Sequence, residues 1–175
     1  MPKATDFNVG SGVKASRRLL MTFVDVNSLD SSGTYDWELV GRGVEDSSID
    51  LNANTEKVTD ITGITETDVT KWEPEQELDP NTVRGGSKLN FKLHDIWYNK
   101  QPELLSQFNV LLVYAYIDGE TSGTFEAEVQ KGCTVNITSL GGSTYVDMPI
   151  SISFSNDSTL GTVTMSDGVP TFTAA

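Results

Sequence analysis

Few side chains in this sequence carry the chemistry of a catalytic or metal-binding site. The chain has one histidine, His94, and one cysteine, Cys133. A histidine base needs a nucleophile and an orienting partner, and nothing in the sequence pairs these two residues. Cys133 alternates with Val135 and Ile137, so we expect it to behave as a small core residue. A single histidine and a single cysteine also exclude a multi-histidine metal site and an internal disulfide framework.

Acids are the abundant charged residues. Asp and Glu number 25 against 12 Lys and Arg, which gives a net charge of −13 over 175 residues. The sequence lacks the D-x-D-x-D-G spacing of a calcium loop. Its paired glycines, Gly85-Gly86 and Gly141-Gly142, are not followed by a phosphate-binding Lys-Ser/Thr. We therefore expect no enzymatic activity, no cofactor and no metal. Binding to nucleic acid is also disfavoured, because phosphates are held by Lys and Arg.

The elements that would position these side chains are mostly strands. A period of two between apolar and polar residues is typical of half-buried strands. It occurs over 34–40, 124–130, 133–139 and 145–154. Residues 108–117 are apolar on both faces and predict a central strand. Leu19–Val26 and Ile49–Ile61 are further strand candidates.

A helical pattern occurs over Ser87–Lys100, where Leu89, Leu93, Ile96 and Trp97 recur at helical spacing and Ser87 is a candidate N-cap. The segment Glu66–Val83 is acidic and interrupted by prolines, so it predicts an edge strand or an extended loop. The predicted fold is mainly β, with two packed β-sheets and one flanking α-helix. The longest apolar run is far shorter than a membrane span, which favours a chain without a membrane anchor, folded in a reducing cytoplasm.

Charge divides the chain into a basic arm over residues 1–18 and a single acidic β-sandwich domain over 19–175. The arm carries Lys3, Lys14, Arg17 and Arg18 against Asp6, a net charge of +3. Two interpretations remain open: a disordered terminus, or an arm that docks on a neighbouring acidic surface.

The polar positions of the alternating segments carry no Lys or Arg. An ordinary solvated sheet face is one explanation. A surface without cations also fails to hold a polyanion, which suits a conduit for nucleic acid.

Five blocks of the sequence, taken in order, resemble the tail tube proteins (major tail proteins) of long-tailed bacteriophages of Gram-positive hosts. They are DITGITETDVTKWEPEQELDP (60–80), HDIWYNK (94–100), KGCTVNITSLGG (131–142), MPISISFSND (148–157) and GTVTMSDGVPTF (161–172). The resemblance spans roughly residues 19–173. Similar tubes occur in phage-tail-like bacteriocins and in the type VI secretion system, and the resemblance favours a non-contractile tail.

The resemblance implies six-membered rings that stack into a hollow tube around a tape-measure protein. It further implies contacts with tail terminator and baseplate or distal tail proteins, assembly in the host cytoplasm, and a final place in the virion tail. DNA would pass through the lumen without specific binding. Candidate lumen acids are Asp36, Glu38, Glu126, Glu128 and Asp147.

The resemblance also implies an extended loop that reaches into the adjacent ring. The candidate residues are Arg42, Gly43, Val44, Glu45, Asp46, Ser47 and Ser48. This loop has little apolar content to pack against its own subunit. We therefore expect it to be mobile in the free subunit and ordered in the tube. The alternative is a flexible surface loop without a role in assembly.

A second function class stays open from the residues alone. A β-sandwich that binds carbohydrate or protein on a phage or cell surface could use tryptophans as a sugar platform. Trp37 and Trp97 fall on apolar faces and are expected in the core. Only Trp72, in an acidic extended segment, is expected at the surface.

Overall fold

The computed structural model describes residues 6–30 and 32–175. Within them the chain forms eleven strands and one α-helix. The strands are β1 (Leu20–Asp25), β2 (Trp37–Leu39), β3 (Ile49–Asp50), β4 (Ala53–Thr59), β5 (Thr65–Trp72), β6 (Glu75–Leu78), β7 (Phe108–Asp118), β8 (Thr124–Ile137), β9 (Ile150–Ser153), β10 (Ser158–Ser166) and β11 (Val169–Ala174). The helix, α1, spans Lys88–Tyr98. The predicted mainly β class with packed sheets and one helix is confirmed.

β8 is the strand that joins the two sheets. Its first half pairs with β7 on one side and with β10 on the other, and β11 follows β10. Its last residues pair with β9, which continues to β6 and β3. Gly132 lies between the two halves with φ of +67°, a conformation that other residues rarely adopt. A single long strand thereby belongs to a curled sheet, β2-β1-β7-β8-β10-β11, and to a smaller sheet, β8-β9-β6-β3.

Two clusters of buried residues form the core, one on each face of the curled sheet. The larger cluster joins α1 and the smaller sheet to alternate residues of β7 such as Val110 and Leu112. The second cluster contains Leu111 and Val113 from the opposite face of β7. This burial on both faces confirms β7 as the predicted central strand.

Helix α1 begins where the sequence predicts. The Ser87 hydroxyl accepts a hydrogen bond from the amide of Asn90 at 3.2 Å, which is the expected N-cap geometry. Leu89, Leu93 and Ile96 are buried against the larger core. Trp97 lies on the helix at the predicted spacing, but the prediction that it packs in the core is wrong, because Trp97 is 56% exposed.

Other predictions about strands need correction. The prediction of an edge strand over Glu66–Val83 is confirmed for its first part, since β5 pairs with β4 alone, and is wrong for β6. β6 lies inside the smaller sheet between β9 and β3, and Gln76 and Leu78 on it are buried. The alternating segment 145–154 contributes only the four-residue strand β9. In the described residues no helix has the length and apolar character needed to cross a membrane.

Candidate assembly surfaces

The five acids predicted to line a channel lie in three separate places. Asp36 and Glu38 lie beside the start of α1. Glu38 accepts hydrogen bonds from the Ser87 hydroxyl at 2.5 Å and the Leu89 amide at 2.9 Å. The Asp36 carboxylate lies 2.7 Å from the Lys88 ammonium and raises the pKa of that group. Carboxylates are favourable at a helix N-terminus because unpaired amides and the helix dipole meet them there. Glu38 therefore attaches the start of α1 to β2, and Asp36, just before that strand, adds a solvent-exposed ion pair. A place for either acid in a channel stays a prediction.

Asp147 lies in the segment between β8 and β9. Its carboxylate accepts a 2.6 Å hydrogen bond from the Thr82 hydroxyl, and its backbone pairs with Gly141. The side chain is half-buried. Asp147 therefore ties two chain segments together, away from the first half of β8.

Glu126 and Glu128 are the two predicted acids that share one face of a strand. They lie two residues apart on β8, with Glu126 opposite Tyr114 of β7. The Glu128 carboxylate accepts hydrogen bonds of 2.5 Å from the Tyr114 hydroxyl and of 2.5 Å from the Ser158 hydroxyl. Burial raises the pKa of the Tyr114 hydroxyl above its ordinary value, and the hydrogen bond to Glu128 raises it further.

The same face continues over β10 and β11 as a surface of hydroxyls. The hydroxyl residues are small and mostly exposed: Thr124, Ser158, Thr162, Thr164, Thr171 and Thr173. Two exposed apolar side chains share this face, Leu160 opposite Glu128 and Val169 on β11. The opposite face of β10 carries Gly161 and Val163, which are buried. No Lys or Arg occurs in 108–118, 124–130 or 158–174. We call this the acidic sheet face, and its charge comes from Glu126 and Glu128.

β4 and β5 form a hairpin apart from both sheets. All residues of β5, and all residues of β4 except the half-buried Asn54, are exposed. Exposed apolar side chains include Val58 (57%), Val69 (53%) and Trp72 (49%). The exposure of Trp72 agrees with the expectation from sequence. A strand pair that neither joins a sheet nor packs on the core has little to stabilise it in water.

The tip of this hairpin is an ordered turn. The Asp60 carboxylate accepts hydrogen bonds from the Thr62 hydroxyl at 2.5 Å, the Thr62 amide at 2.7 Å and the Ile64 amide at 3.1 Å. These hydrogen bonds lower the pKa of the Asp60 carboxyl, and the bond from the Thr62 hydroxyl has the largest effect. The turn presents Ile61 at 105% exposure and Ile64 at 60%.

The loop predicted to leave its subunit, 42–48, is held by its own chain at two points. Val44 is half-buried and packs on the larger core. The Ser47 hydroxyl donates to the Glu77 carbonyl at 2.7 Å, and the Arg17 guanidinium donates to the Ser47 carbonyl at 2.9 and 3.0 Å. Gln76 adds a bond from its side-chain amide to the Ser47 hydroxyl at 3.1 Å. The remaining residues, Arg42, Gly43, Glu45, Asp46 and Ser48, are exposed. The expectation of little packing within the subunit is therefore corrected at Val44 and Ser47.

The basic arm is partly attached to the body. Asn8 donates to the Ala115 carbonyl at 3.1 Å and to the Asp118 carboxylate at 2.8 Å, at the end of β7. Arg17 is used within the subunit, as described above. Lys14 and Arg18 are exposed, and Lys3 lies outside the described residues. Docking of the arm on a neighbour stays a prediction.

The residues considered for catalysis lie apart from one another. Cys133 is fully buried in the larger core, and this burial raises the pKa of its thiol. His94 is exposed on α1. In the part of the chain that the structure describes, no three His, Cys, Asp or Glu side chains are grouped as a metal site requires.

Sequence reasoning missed the hairpin as a separate unit. A signal was available in Thr55–Thr70, where β-branched and charged residues flank the turn residues Asp60 and Gly63. The prolines that follow, at positions 74 and 80, favoured a loop instead.

Comparison with known proteins shows similarity at the level of the fold. No protein-family model matches the chain, and no curated protein matches it. The chain is similar in structure to a chain of the sheath-tube complex of an extracellular contractile injection system, PVC, in the extended state. The TM-score is 0.50 at 10% identity, over 85% of this chain and 92% of that chain. A chain of the anti-feeding prophage cap, a tube-terminating cap, gives a TM-score of 0.47 at 12% identity, over 93% and 99% of the two chains. The first likeness shows that this chain shares its fold with a component of a sheath-tube complex.

Proposed function

We propose that this chain is the structural subunit of a hollow phage-tail-type tube. The projecting β4–β5 hairpin is the observation that carries the proposal. It exposes Val58 and Val69 on a strand pair that its own core does not support, and Ile61 and Ile64 at the turn between the strands. A neighbouring subunit that covers this hairpin would bury these side chains and stabilise the strands. The fold shared with a component of a sheath-tube complex supports the same proposal.

In this proposal six subunits form a ring, and rings stack head to tail. A contact between two different surfaces of identical subunits generates a filament when its rotation does not close. A hairpin from one ring and a surface of the next form such a contact. The tube surrounds a tape-measure protein and ends at tail terminator and baseplate or distal tail proteins. It assembles in the host cytoplasm and remains in the virion tail.

The acidic sheet face lines the channel in this proposal. Glu126 and Glu128 recur in every subunit, and the neighbouring exposed side chains are hydroxyls and Leu160, without Lys or Arg. The field of one carboxylate is screened within about 8–10 Å in physiological salt. Repetition around a ring sums these fields into a continuous negative wall. DNA phosphates slide past such a wall because no cation holds them.

The basic arm supplies a second contact between subunits. Residues 1–18 have a net charge of +3, whereas residues 45–79 carry eleven acids and two bases. Opposite charges on two copies attract, and salt screens that attraction when the charges are exposed.

Negative-stain electron microscopy of the purified full chain tests the proposal. We expect rings or tubes of uniform diameter when the protein is concentrated, and monomers or small oligomers when it is dilute. A chain that stays monomeric at high concentration by sedimentation velocity, with no tubes on the grid, contradicts the proposal. Affinity for immobilised glycans by such a monomer would support a carbohydrate-binding module instead.

A further inference from the structure

An apolar groove lies where α1 ends against the smaller sheet. Its volume is about 400 Å³. It is lined mainly by Ile96, Trp97, Pro102, Leu105, Ile137 and Lys100. Trp97 remains 56% exposed there, with the Lys100 ammonium 3.4 Å from the centre of its ring. Among the lining residues that the structure describes, Lys100 is the only charged one.

The hairpin tip has the complementary character. Ile61 and Ile64 project from a turn that the Asp60 carboxylate fixes through three hydrogen bonds. Residues 58–70 contain three acids, Asp60, Glu66 and Asp68, and no base. The tip is therefore an ordered apolar knob with negative charge around it, and the groove is an apolar recess with a positive charge at its rim.

We propose that the hairpin tip of one copy inserts Ile61 and Ile64 into the groove beside Trp97 of a second copy. The seven residues of β4 give the hairpin a length of about 23 Å at about 3.3 Å per residue, and its strands join neither sheet. Burial of the isoleucines supplies the attraction. The acids of the tip approach Lys100, and this attraction between opposite charges favours the groove over other surfaces of the second copy.

This contact joins two different surfaces, so it gives the stack a direction. Each subunit donates a tip at one side and accepts a tip at another, and the contact does not close on itself. The inference rests on the self-assembly proposed above and specifies which two surfaces meet.

Cysteine cross-linking tests the contact, because the native Cys133 is buried and stays unreactive in the folded chain. One variant carries Ile61→Cys and the other Gln101→Cys, at the rim of the groove. The two variants are mixed, concentrated and oxidised, then separated without reductant. We expect a covalent dimer from the mixture and much less from either variant alone, since the contact is between unlike surfaces. The matched control replaces Gln101→Cys with Phe91→Cys, which is 74% exposed on α1 but does not line the groove. We expect at least a tenfold lower dimer yield with it.

The outcomes separate this inference from the proposed function. If the wild-type chain forms tubes and the Ile61→Cys and Gln101→Cys mixture gives no more dimer than the control, the contact is wrong and the tube stands. If the wild-type chain forms no tubes and the mixture still gives the dimer, the contact stands and the tube is wrong. If neither tubes nor dimer form, both are overturned.

Discussion

The Glu38 carboxylate of β2 accepts a 2.9 Å hydrogen bond from the backbone amide of Leu89, in the first turn of α1. Its second oxygen accepts the hydroxyl of Ser87, the N-cap residue. Leu89 itself is 2% exposed and packs in the larger core. One side chain on a short edge strand therefore fixes the start of the helix over the sheet.

The first prediction concerns this attachment. Glu38→Ala leaves the Leu89 amide and the Ser87 hydroxyl without their acceptor. We expect a loss of about 2–3 kcal/mol in the free energy of unfolding, because hydrogen bonds to a charged group are among the stronger ones. Urea denaturation measures it.

The matched control is Asp36→Ala, at the residue just before β2. Its ion pair with Lys88 is solvent-exposed, so a smaller loss is expected than for Glu38→Ala. Equal losses for the two variants would show that the helix attachment depends on general negative charge and not on the Glu38 hydrogen bonds.

The parts of the fold that the sequence predicts are those with a local cause. Helix α1 follows from its apolar spacing and from Ser87, and β7 follows from an apolar run that needs cover on both faces. Both depend on residues near one another in the chain. The Asp167-Gly168 turn between β10 and β11 likewise has positive φ at both residues, 49° and 82°, as its sequence indicates.

The parts that the sequence did not predict depend on distant partners. Gln76 is buried, at 2% exposure, and distant residues satisfy its side-chain amide. The Thr22 hydroxyl donates to its oxygen at 2.9 Å, and the Ser47 hydroxyl accepts from its nitrogen. Before the fold is known, nothing indicates that residues 54 positions apart meet. For the same reason Glu38 and Glu126 look alike in the sequence, as acids on alternating segments, yet only Glu38 lies under a helix.

The second prediction concerns alkaline pH. Burial and the Glu128 bond keep Tyr114 protonated in the folded chain at pH values where an unfolded tyrosine, with a pKa of about 10, ionises. The folded state then binds one proton more than the unfolded state, so stability falls as pH rises above about 10. Tyr114→Phe removes this contribution. We expect its free energy of unfolding to fall less than that of the wild type between neutral pH and about pH 10.5.

Tyr145→Phe is the control for this prediction, since Tyr145 is 71% exposed. It should follow the wild-type pH profile. The pKa of Cys133 is raised as well and acts in the same direction, but equally in all three proteins. Parallel profiles for wild type and Tyr114→Phe would contradict the role given to Tyr114.

The third prediction concerns the channel. Glu126→Cys places a thiol on the acidic sheet face in a chain whose native thiol is buried. If that face lines the lumen, a small maleimide should label assembled tubes. A bulky polymer-linked maleimide should label free subunits and fail to label tubes. Mass spectrometry measures both extents. Labelling of tubes by the bulky reagent would place the face outside, and loss of labelling by the small reagent would place it in a subunit contact.

The last prediction compares the hairpin, proposed above as a contact between rings, with the 42–48 loop, which the resemblance implies for the same role. Replacing Glu56–Asp68 with Asn-Gly removes only exposed residues and closes the Thr55–Val69 pair with a favourable two-residue turn. We expect the shortened chain to melt within a few degrees of the wild type and to form no tubes. Deleting Gly43–Ser48 instead removes the packing of Val44 and the bonds of Ser47. We expect that chain to lose about 2–4 kcal/mol of stability. Thermal melting and electron microscopy of both variants decide between the two segments. Normal tubes from the hairpin variant would contradict the role of the hairpin. An unchanged melting temperature with loss of tubes in the loop variant would support the inter-ring role of residues 42–48.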